Sequence, residues 1–359
     1  MNRASARDFF STTNILNIQL IFLPVAFLIE RSGGKPVFVF LAACLAIIPL
    51  AGWMGKSTEA IAATMGAGLG GLLNATFGNA AELIIGLIAL SNGYPNIVKA
   101  SITGSIIGNI LLVLGFSIFL GGWKFHRQKF NAIAASMGTT LLVLSAIALL
   151  IPAIFHSIAG AQATEKELSV EIAVILFLAY ICNLIFSLKT HRDLFGGTAE
   201  EEHHPSMSRK KAFTILVAST AGVALASELL VRAVEPTAKE FGFTEVFIGV
   251  ILVAIIGNAA EHSTAVVFAM KNKLELAMNI AVGSSVQVAL LVAPLLVFAG
   301  ALLGHPLDLV FTTFEVVSVI ASVATVTVVA MDGESNWMEG VLLLAVYAIL
   351  ALAFYHLPA

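Results

Sequence analysis

Long apolar stretches separated by short polar ones follow each other along the whole chain. A membrane-spanning helix needs about 20 mostly apolar residues, and eleven stretches reach or approach that length. The alternation that marks membrane β-strands is absent from the sequence. The pattern therefore predicts an all-α polytopic membrane protein with about eleven transmembrane helices. They cover roughly residues 14–30, 36–53, 66–91, 97–122, 130–155, 170–188, 211–232, 245–270, 275–303, 308–331 and 338–356.

Composition agrees with a membrane protein. The chain is 58% hydrophobic and 11% charged, against about 25% charged residues in a soluble domain. A net charge of −3 does not suggest a nucleic-acid partner. Cys44 and Cys182 lie in apolar stretches without metal-ligand spacing, so we interpret them as packing residues. We expect the lipid bilayer as the surroundings, and neither nucleic acid nor a cofactor.

The distribution of basic residues predicts the orientation of the chain. With eleven crossings and the N-terminus inside, thirteen Lys and Arg residues fall on the cytoplasmic side and six on the other. Positive charge is enriched in cytoplasmic loops. We therefore predict a cytoplasmic N-terminus and an external C-terminus.

One long hydrophilic segment, "THRDLFGGTAEEEHHPSMSRKK" from Thr190, divides the chain and would be cytoplasmic. Its centre can be interpreted as a solvated loop or as a weak calcium or pH sensor, because neighbouring carboxylates attract hard divalent cations. Both interpretations stay open at this stage. The central residues are Glu200, Glu201, Glu202, His203 and His204.

A repeated motif indicates that the two parts of the chain on either side of this segment are repeats of each other. "FGNAAELIIGL" begins at Phe77 and "IGNAAEHSTAV" begins at Ile256. A shift of 179 residues, from Gly78 to Gly257, produces ten identities over the 36 positions from Gly78 to Val113 without a gap. Each half contains five predicted spans, and an odd number forces the two halves to cross the membrane in opposite senses, the plan of many secondary transporters. The predicted organisation is a tail and extra helix at 1–35, a first five-helix repeat at 36–189, an acidic linker at 190–210 and a second repeat at 211–359.

The repeated glutamates, Glu82 and Glu261, lie well inside predicted spans. A charged side chain at the bilayer centre costs at least about 2.5 kcal/mol, so each needs a partner, a proton or water. No Lys or Arg lies deep in any predicted span. The missing positive charge must come from something that binds.

The neighbours of the glutamates indicate a hard cation. Asn79 and Asn258 precede the glutamates by one helical turn, and Gly78 and Gly257 allow backbone carbonyls to turn toward a ligand. Calcium binds six to eight such oxygens. The next span of each half adds further polar groups, which can also be interpreted as helix-packing residues. They are Ser105 and Asn109 in the first half and Ser284, Ser285 and Gln287 in the second.

Charge balance suggests a mechanism. Two carboxylates with one Ca²⁺ are neutral, and two carboxylic acids are neutral, but two bare carboxylates in a low dielectric are not. An empty ionised site should therefore cross poorly between the two faces. The expectation is exchange of one Ca²⁺ for at least two protons.

These residues resemble a known family. The paired Gly-Asn-Ala-Ala-Glu motif, with His262 after the second copy, resembles that of the calcium/proton antiporters, a branch of the calcium/cation antiporter superfamily. Four further stretches look like recurring family segments, and the resemblance covers roughly residues 36–356. They are "LLNATFGNAAELIIGLIAL" from Leu72, "SELLV" from Ser227, "GSSVQVAL" from Gly283 and "MDGESNWMEG" from Met331.

The resemblance implies that Glu82 and Glu261 bind the transported calcium and that Asn79, Asn258, Ser105 and Gln287 line the pathway. It also implies a one-plus-five-plus-five helix fold, calcium efflux driven by inward proton flow and, in several members, a trimer. We expect a prokaryotic plasma membrane protein, because the long N-terminal extension of some plant vacuolar members has no counterpart in this sequence.

Three other titratable residues are candidates for further roles. His262 could relay protons or tune Glu261, because imidazole titrates near neutral pH, or it could hydrogen-bond to a neighbouring helix. Glu228 is expected to pair with Arg232 one turn later. Glu315 has no such partner in sequence and is a secondary candidate for cation entry or proton movement.

Three rival functions remain to be distinguished. A sodium-coupled calcium exchanger could use the same fold, although its site would carry more Ser, Thr and Asp than this one. An ion channel would need neither a neutral crossing state nor an inverted duplication. An intramembrane enzyme would need a metalloprotease or serine-hydrolase arrangement, and the predicted spans contain neither.

Overall fold

The computed structural model describes residues 17–159, 164–191, 194 and 207–357. The acidic centre of the predicted linker, Glu200 to His204, lies outside these residues, as does the N-terminal tail.

Helices account for nearly all of the described chain, as expected for a sequence with so few charged residues. In chain order they are α1 Phe22–Arg31, α2 Pro36–Ala62, α3 Gly66–Phe77, α4 Ala80–Ser91, α5 Pro95–Lys124, α6 Ala132–Ala159, α7 Thr164–Thr190, α8 Arg209–Phe241, α9 Glu245–Gly257, α10 Ala259–Ala269, α11 Leu274–Leu303, α12 Thr313–Val329 and α13 Trp337–Tyr355. Two short strands, β1 Gln128–Lys129 and β2 Glu334–Ser335, pair antiparallel.

The β-ribbon marks one end of the molecule, which we call the ribbon end. It joins the loop before α6 to the loop before α13, and Gln128 Nε2 donates to the carbonyl of Ala269 at the end of α10. At the opposite end, Lys99 near the start of α5 pairs with Asp308 before α12, and Tyr94 contacts Glu235 near the end of α8. Helix α5 therefore runs from the opposite end, near Lys99, to the ribbon end, where the chain enters β1.

Seven helices of the described chain are long and apolar enough to cross a membrane, and the bent pair α9 and α10 makes an eighth. The remaining predicted spans correspond to shorter helices: α1, the pair α3 and α4, and α12. The all-helical membrane fold is confirmed, whereas the count of eleven crossings stays a prediction.

The two halves repeat each other in opposite directions. A shift of 179 residues carries α5 onto α11 residue for residue, and carries α3 and α4 onto α9 and α10. Because α5 begins at the opposite end and α11 begins at the ribbon end, the equivalent helices are antiparallel. This is the inverted arrangement that an odd number of spans per half requires.

Several helix ends differ from the sequence expectation. Helix α2 extends from the predicted end at 53 to Ala62, and α8 extends from 232 to Phe241. Helix α12 begins only at Thr313, because Thr312 and Glu315 form a capping box there.

The predicted ion pair of Glu228 with Arg232 is present at 2.7 Å. Cys44 is buried, but Cys182 is exposed, so the packing interpretation fits Cys44 alone.

Close approach of helix backbones stabilises the bundle, as is typical where small residues occupy membrane helix interfaces. A β-carbon on Gly340 of α13 would lie 2.7 Å from the carbonyl oxygen of Gly115 on α5 and closer still to the amide nitrogen of Phe119. Backbone atoms cannot move aside as the tip of a side chain can. Gly340 is therefore required for the contact of α13 with α5.

We expect Gly340→Ala to lower the free energy of unfolding by about 1–3 kcal/mol, the usual cost of overpacking. Gly55→Ala on α2 is the matched control, because a β-carbon there has nothing within 4 Å and alanine is the better helix former by about 1 kcal/mol. Thermal unfolding in detergent measures both variants. Equal midpoints for Gly340→Ala and the wild type would contradict the contact.

Candidate functional site

The two Gly-Asn pairs break the helices that carry the repeated motif. Helix α3 ends at Phe77 and α4 begins at Ala80, while α9 ends at Gly257 and the chain bends by 64° into α10. Asn79 and Asn258 stand at the breaks, with φ/ψ of −102°/27° and −95°/6°. Neither side chain caps its own helix. Asn258 Nδ2 donates to the carbonyl of Ala254 in α9 at 3.0 Å, but both amides keep groups that can bind elsewhere. Each break also leaves backbone carbonyls without helical partners.

Each amide binds a serine of the other repeat. Asn258 Nδ2 donates to Ser105 Oγ at 3.0 Å, and Ser284 Oγ donates to Asn79 Oδ1 at 3.0 Å. The shift of 179 residues converts one contact into the other, since Asn79 corresponds to Asn258 and Ser105 to Ser284. All four side chains are buried. The repeats thus interlock through two equivalent residue pairs, although the asparagine donates in one pair and the serine donates in the other.

Two further amides are present on one side only. Asn109 donates to Ser284 Oγ at 3.1 Å and to Asn258 Oδ1 at 3.4 Å, and its equivalent in the second repeat is Val288. Gln287 accepts a hydrogen bond from Asn79 through Oε1, and its equivalent is Gly108. The cluster is therefore symmetric in its outline and asymmetric in its polar side chains.

The carboxylates of Glu82 and Glu261 lie at this cluster. A β-carbon on Gly257 would be 3.6 Å from Glu82 Oε1, so the glutamate of the first repeat lies against the helix break of the second. Ser284 lies within hydrogen-bonding reach of the Glu261 carboxylate. The two carboxylates are close enough to repel each other. Each is in the first turn of its helix, where the dipole favours negative charge by about 0.3–1 kcal/mol.

The carboxylates keep unused binding capacity. Oε2 of Glu82 and Oε2 of Glu261 are buried and have no hydrogen-bond partner among the residues described. Among the residues that the structure describes, no three His, Cys, Asp or Glu side chains are placed to bind one metal ion together. A cation held here would be bound by the two carboxylates together with amide, hydroxyl and carbonyl oxygens, a donor set that suits a hard ion.

A small cavity adjoins Glu82. Its volume is about 10 Å³, enough for about one water molecule. Glu82, Ser101 and Ser105 supply its polar lining, and the rest is formed by Gly86 and apolar side chains of α5 and α11. Ser101 was not singled out in the sequence.

The packing around the cluster differs between the two ends of the molecule. Toward the opposite end, α9 packs tightly on α5: a β-carbon on Gly104 would overlap the backbone of Val250. The equivalent contact would join Gly283 on α11 to Gly71 on α3. Gly283 instead has nothing within 4 Å of its β-carbon position among the described atoms, and Gly71 faces Leu188. The site is therefore more loosely enclosed toward the ribbon end.

Most of the residues predicted for the site come together. Glu82, Asn79, Ser105 and Gly78 of the first repeat meet their counterparts Glu261, Asn258, Ser284 and Gly257, with Gln287 beside Gly78. His262 is the exception. It follows Glu261 directly, so it points to a different face of α10, and its buried Nε2 has no partner in the described chain.

The π-helical turns beside the site escaped sequence analysis. They cover Gly108–Val113 in α5 and Val288–Val292 in α11, at equivalent positions. Such turns often occur at functional sites. The repeated Leu-Leu-Val at 111–113 and 290–292 was the available signal, but apolar identity does not distinguish a π turn from ordinary packing.

The family model for the sodium/calcium exchanger proteins matches residues 35–189 and 211–356. The chain belongs to the sodium/calcium exchanger family. Among similar members, a Ca²⁺/H⁺ antiporter of Synechocystis sp. is 44% identical over 96% of this chain and 98% of its own length. The Ca²⁺/H⁺ antiporter ChaA of Bacillus subtilis is 46% identical over 89% of this chain and 92% of its own. The solved structure of native YfkE superposes with a TM-score of 0.84 at 41% identity, covering 95% of this chain and all of that one.

The interlock of this exchanger family member predicts unequal effects of its two equivalent serines. Removing the Ser284 hydroxyl leaves Asn79 Oδ1 without a donor among the described residues, at a cost of about 1–3 kcal/mol. Ser105→Ala should cost less, because Asn258 Nδ2 also donates to the carbonyl of Ala254. Thermal unfolding of Ser284→Ala and Ser105→Ala measures the difference. A larger loss for Ser105→Ala would contradict the hydrogen-bond arrangement.

Proposed function

We propose that this integral membrane protein is a secondary transporter that exchanges Ca²⁺ for H⁺ by alternating access and exports cytosolic calcium. The observation that carries the proposal is the pair of buried carboxylates, Glu82 and Glu261, with free oxygens and amide and hydroxyl oxygens of both repeats around them. The names of the relatives favour protons over sodium as the counter-ion. A sodium-coupled exchange on the same fold is the alternative that the experiment below addresses.

In this proposal Ca²⁺ and protons are alternative occupants of one site. The cation would be bound by Glu82 and Glu261, by oxygens of Asn79 and Asn258, and by carbonyls released at Gly78 and Gly257. Ser105, Ser284 and Gln287 would complete or orient this set. Because carboxylates at short distance in a low dielectric cannot both stay ionised and empty, the site exchanges one occupant for the other.

His262 is separate from the cluster, so we assign it a proton-coupling role only through its neighbour Glu261. The protein would act as a transporter and not as an enzyme, with no cofactor beyond the transported ions. The two ranges matched by the family support a division into repeats at 36–189 and 211–359, with the extra helix within 1–35 and the linker at 190–210.

The bacterial relatives support a plasma membrane location. We propose that the ribbon end is cytoplasmic, because the loops at that end carry most of the basic residues, which puts the N-terminus inside and the C-terminus outside. Assembly as a homotrimer stays a prediction.

Calcium uptake into inside-out vesicles, or into liposomes that contain the purified protein, tests whether protons are exchanged for calcium at the two glutamates. We expect uptake of radioactive calcium to follow an imposed pH gradient, to ignore a sodium gradient and to vanish in Glu82→Gln and in Glu261→Gln. A glutamine keeps one oxygen but loses the charge and the exchangeable proton. Glu171→Gln, which changes an exposed carboxylate of α7, should transport normally.

Each deviation identifies a different error. Uptake driven by sodium would replace the proton assignment, and uptake that survives in both glutamine variants would show that the ions bind elsewhere. Calcium flux that needs neither gradient would indicate a channel.

The unequal packing at the two ends suggests how the site changes sides. The contact of Gly104 with Val250 closes one end, and we propose that Gly283 receives α3 near Gly71 when the ribbon end closes. The structure would then represent the state open toward the cytoplasm.

We expect Gly283→Leu to fold normally, since the space beside Gly283 is open, but to lose most of its exchange because the leucine blocks closure. Gly104→Leu should instead destabilise the protein, because the Val250 backbone occupies that space. Exchange rates in liposomes and thermal unfolding in detergent distinguish the two effects. Wild-type exchange by Gly283→Leu would refute this closing contact.

A further inference from the structure

An extended segment joins α11 to α12 and inserts into the first repeat. Leu307, Leu309 and Phe311 are buried at 3%, 0% and 3% exposure, while Asp308 and Val310 between them are less buried. The backbone amide of Leu309 donates to Ser169 Oγ on α7 at 2.9 Å. A piece of the second repeat is therefore fixed among helices of the first.

Lys99 of α5 binds this segment. Its ammonium group lies 2.5 Å from Asp308 Oδ1 and 2.8 Å from the carbonyl oxygen of Val310, and its side chain is only 12% exposed. Asp308 Oδ1 also accepts from the backbone amide of Val310 at 2.9 Å. The lysine is thus bound to both a carboxylate and the backbone whose shape that carboxylate maintains.

One turn further along α5, Thr103 binds the start of α12. Its hydroxyl donates to Glu315 Oε1 at 3.3 Å, and both residues are buried. The other carboxylate oxygen of Glu315 accepts from the backbone amide and the hydroxyl of Thr312 in the capping box. Glu315 therefore joins the N-terminus of α12 to α5. The cation-entry or proton role considered from the sequence stays a prediction.

The stripe of α5 that carries Lys99 and Thr103 lies about 120° around the helix from the stripe that carries Ser105 and Asn109, because each residue advances by about 100°. The first stripe is bound to the 308–315 region, and the second binds Asn258 and Ser284 at the site. Any rotation or axial shift of α5 would break bonds on both stripes. The position of the site residues is thus coupled to the bonds made by Lys99 and Thr103.

The second repeat has no such arrangement at the equivalent place. Met278 and Val282 of α11 replace Lys99 and Thr103, and both are buried. Val282 packs against the backbone at Gly138 of α6. Apolar contacts are non-directional, whereas a charged hydrogen bond specifies geometry. Of these two equivalent places in the described chain, the one in the first repeat has the directional attachment.

We propose that Lys99 and Glu315 are positioning residues for ion exchange: with Thr103 and Asp308 they fix α5 in depth and rotation, so that Ser105 and Asn109 stay in place at the shared site. This inference rests on the proposed function, because it concerns the same ion site. It assigns no contact between Lys99 or Glu315 and the transported ion.

The test replaces the polar side chains of this attachment with the apolar side chains at the equivalent positions of the second repeat. Lys99→Met and Thr103→Val install the residues found at 278 and 282, and Lys35→Met is the matched control, since it removes an exposed pair with Glu240 away from α5. Two quantities are measured on purified full-length protein: the affinity for calcium by binding of radioactive calcium, and amide hydrogen exchange of residues 104–109. We expect Lys99→Met to bind calcium about 10-fold more weakly, the lower end of what loss of a group that orients metal ligands costs, with faster amide exchange at 104–109. Thr103→Val should act in the same direction, and Lys35→Met should change neither quantity.

The double variant Lys99→Met/Asp308→Asn separates positioning from charge burial. If the attachment positions α5, the double variant stays as weak as Lys99→Met. Recovery of wild-type affinity would show that the pair only neutralises a buried charge, and unchanged affinity and amide exchange in Lys99→Met would equally overturn the proposal. Wild-type protein that binds no calcium would refute the proposed function, while amide exchange in Lys99→Met would still test the attachment.

Discussion

Two carboxylates that share a low-dielectric interior impose the strongest constraint on this structure. Each charge in such a place costs several kcal/mol unless donors or a counter-charge stabilise it, and here the stabilising groups come from both repeats. Glu82 lies against the helix break at Gly257, and Asn258 is held by Ser105 of the first repeat. Neither half contains a complete site. If ions bind here, as we propose, the site forms only when one repeat folds onto the other.

The inverted duplication explains why the site is built from equivalent residues of the two repeats. The positions at which the repeats differ explain why its two sides are unequal. Equivalent breaks at Asn79 and Asn258 provide two antiparallel half-helix starts, each with a glutamate in its first turn. A perfectly symmetric site would have no preferred side. Asn109 opposite Val288, and the packed Gly104 opposite the open Gly283, are two asymmetries that distinguish the two sides in this structure.

The sequence predicted the parts of this arrangement that repetition and charge reveal. Glu82, Asn79 and their equivalents could be found because polar identity between two apolar segments is improbable by chance, and a buried carboxylate needs a partner whatever the fold. Contacts between residues far apart in sequence were beyond reach. The bond of Thr103 to Glu315 depends on where α12 begins, and that start is set by Thr312, a cap that hydropathy does not register. The helix ends at Ala62 and Phe241 were also missed by hydropathy. A helix continues past its apolar stretch wherever neighbouring helices still pack against it.

A transporter that opens to alternate sides needs elements that move and elements that stay. Helix α5 belongs to the second kind on physical grounds, because its bonds to the 308–315 region are charged and directional. Helix α3 carries Gly70 and Gly71. The position on α11 that α3 would contact, at Gly283, has no atom within 4 Å of its β-carbon position among the described residues. If the bonds of Lys99 hold α5 still, the difference between the two open states must come from α3 and α9 and from the helices that carry them. Fixed oxygens from α5 and α11 would then meet carboxylates on α4 and α10 in both states, so that the same ligands bind the ion from either side.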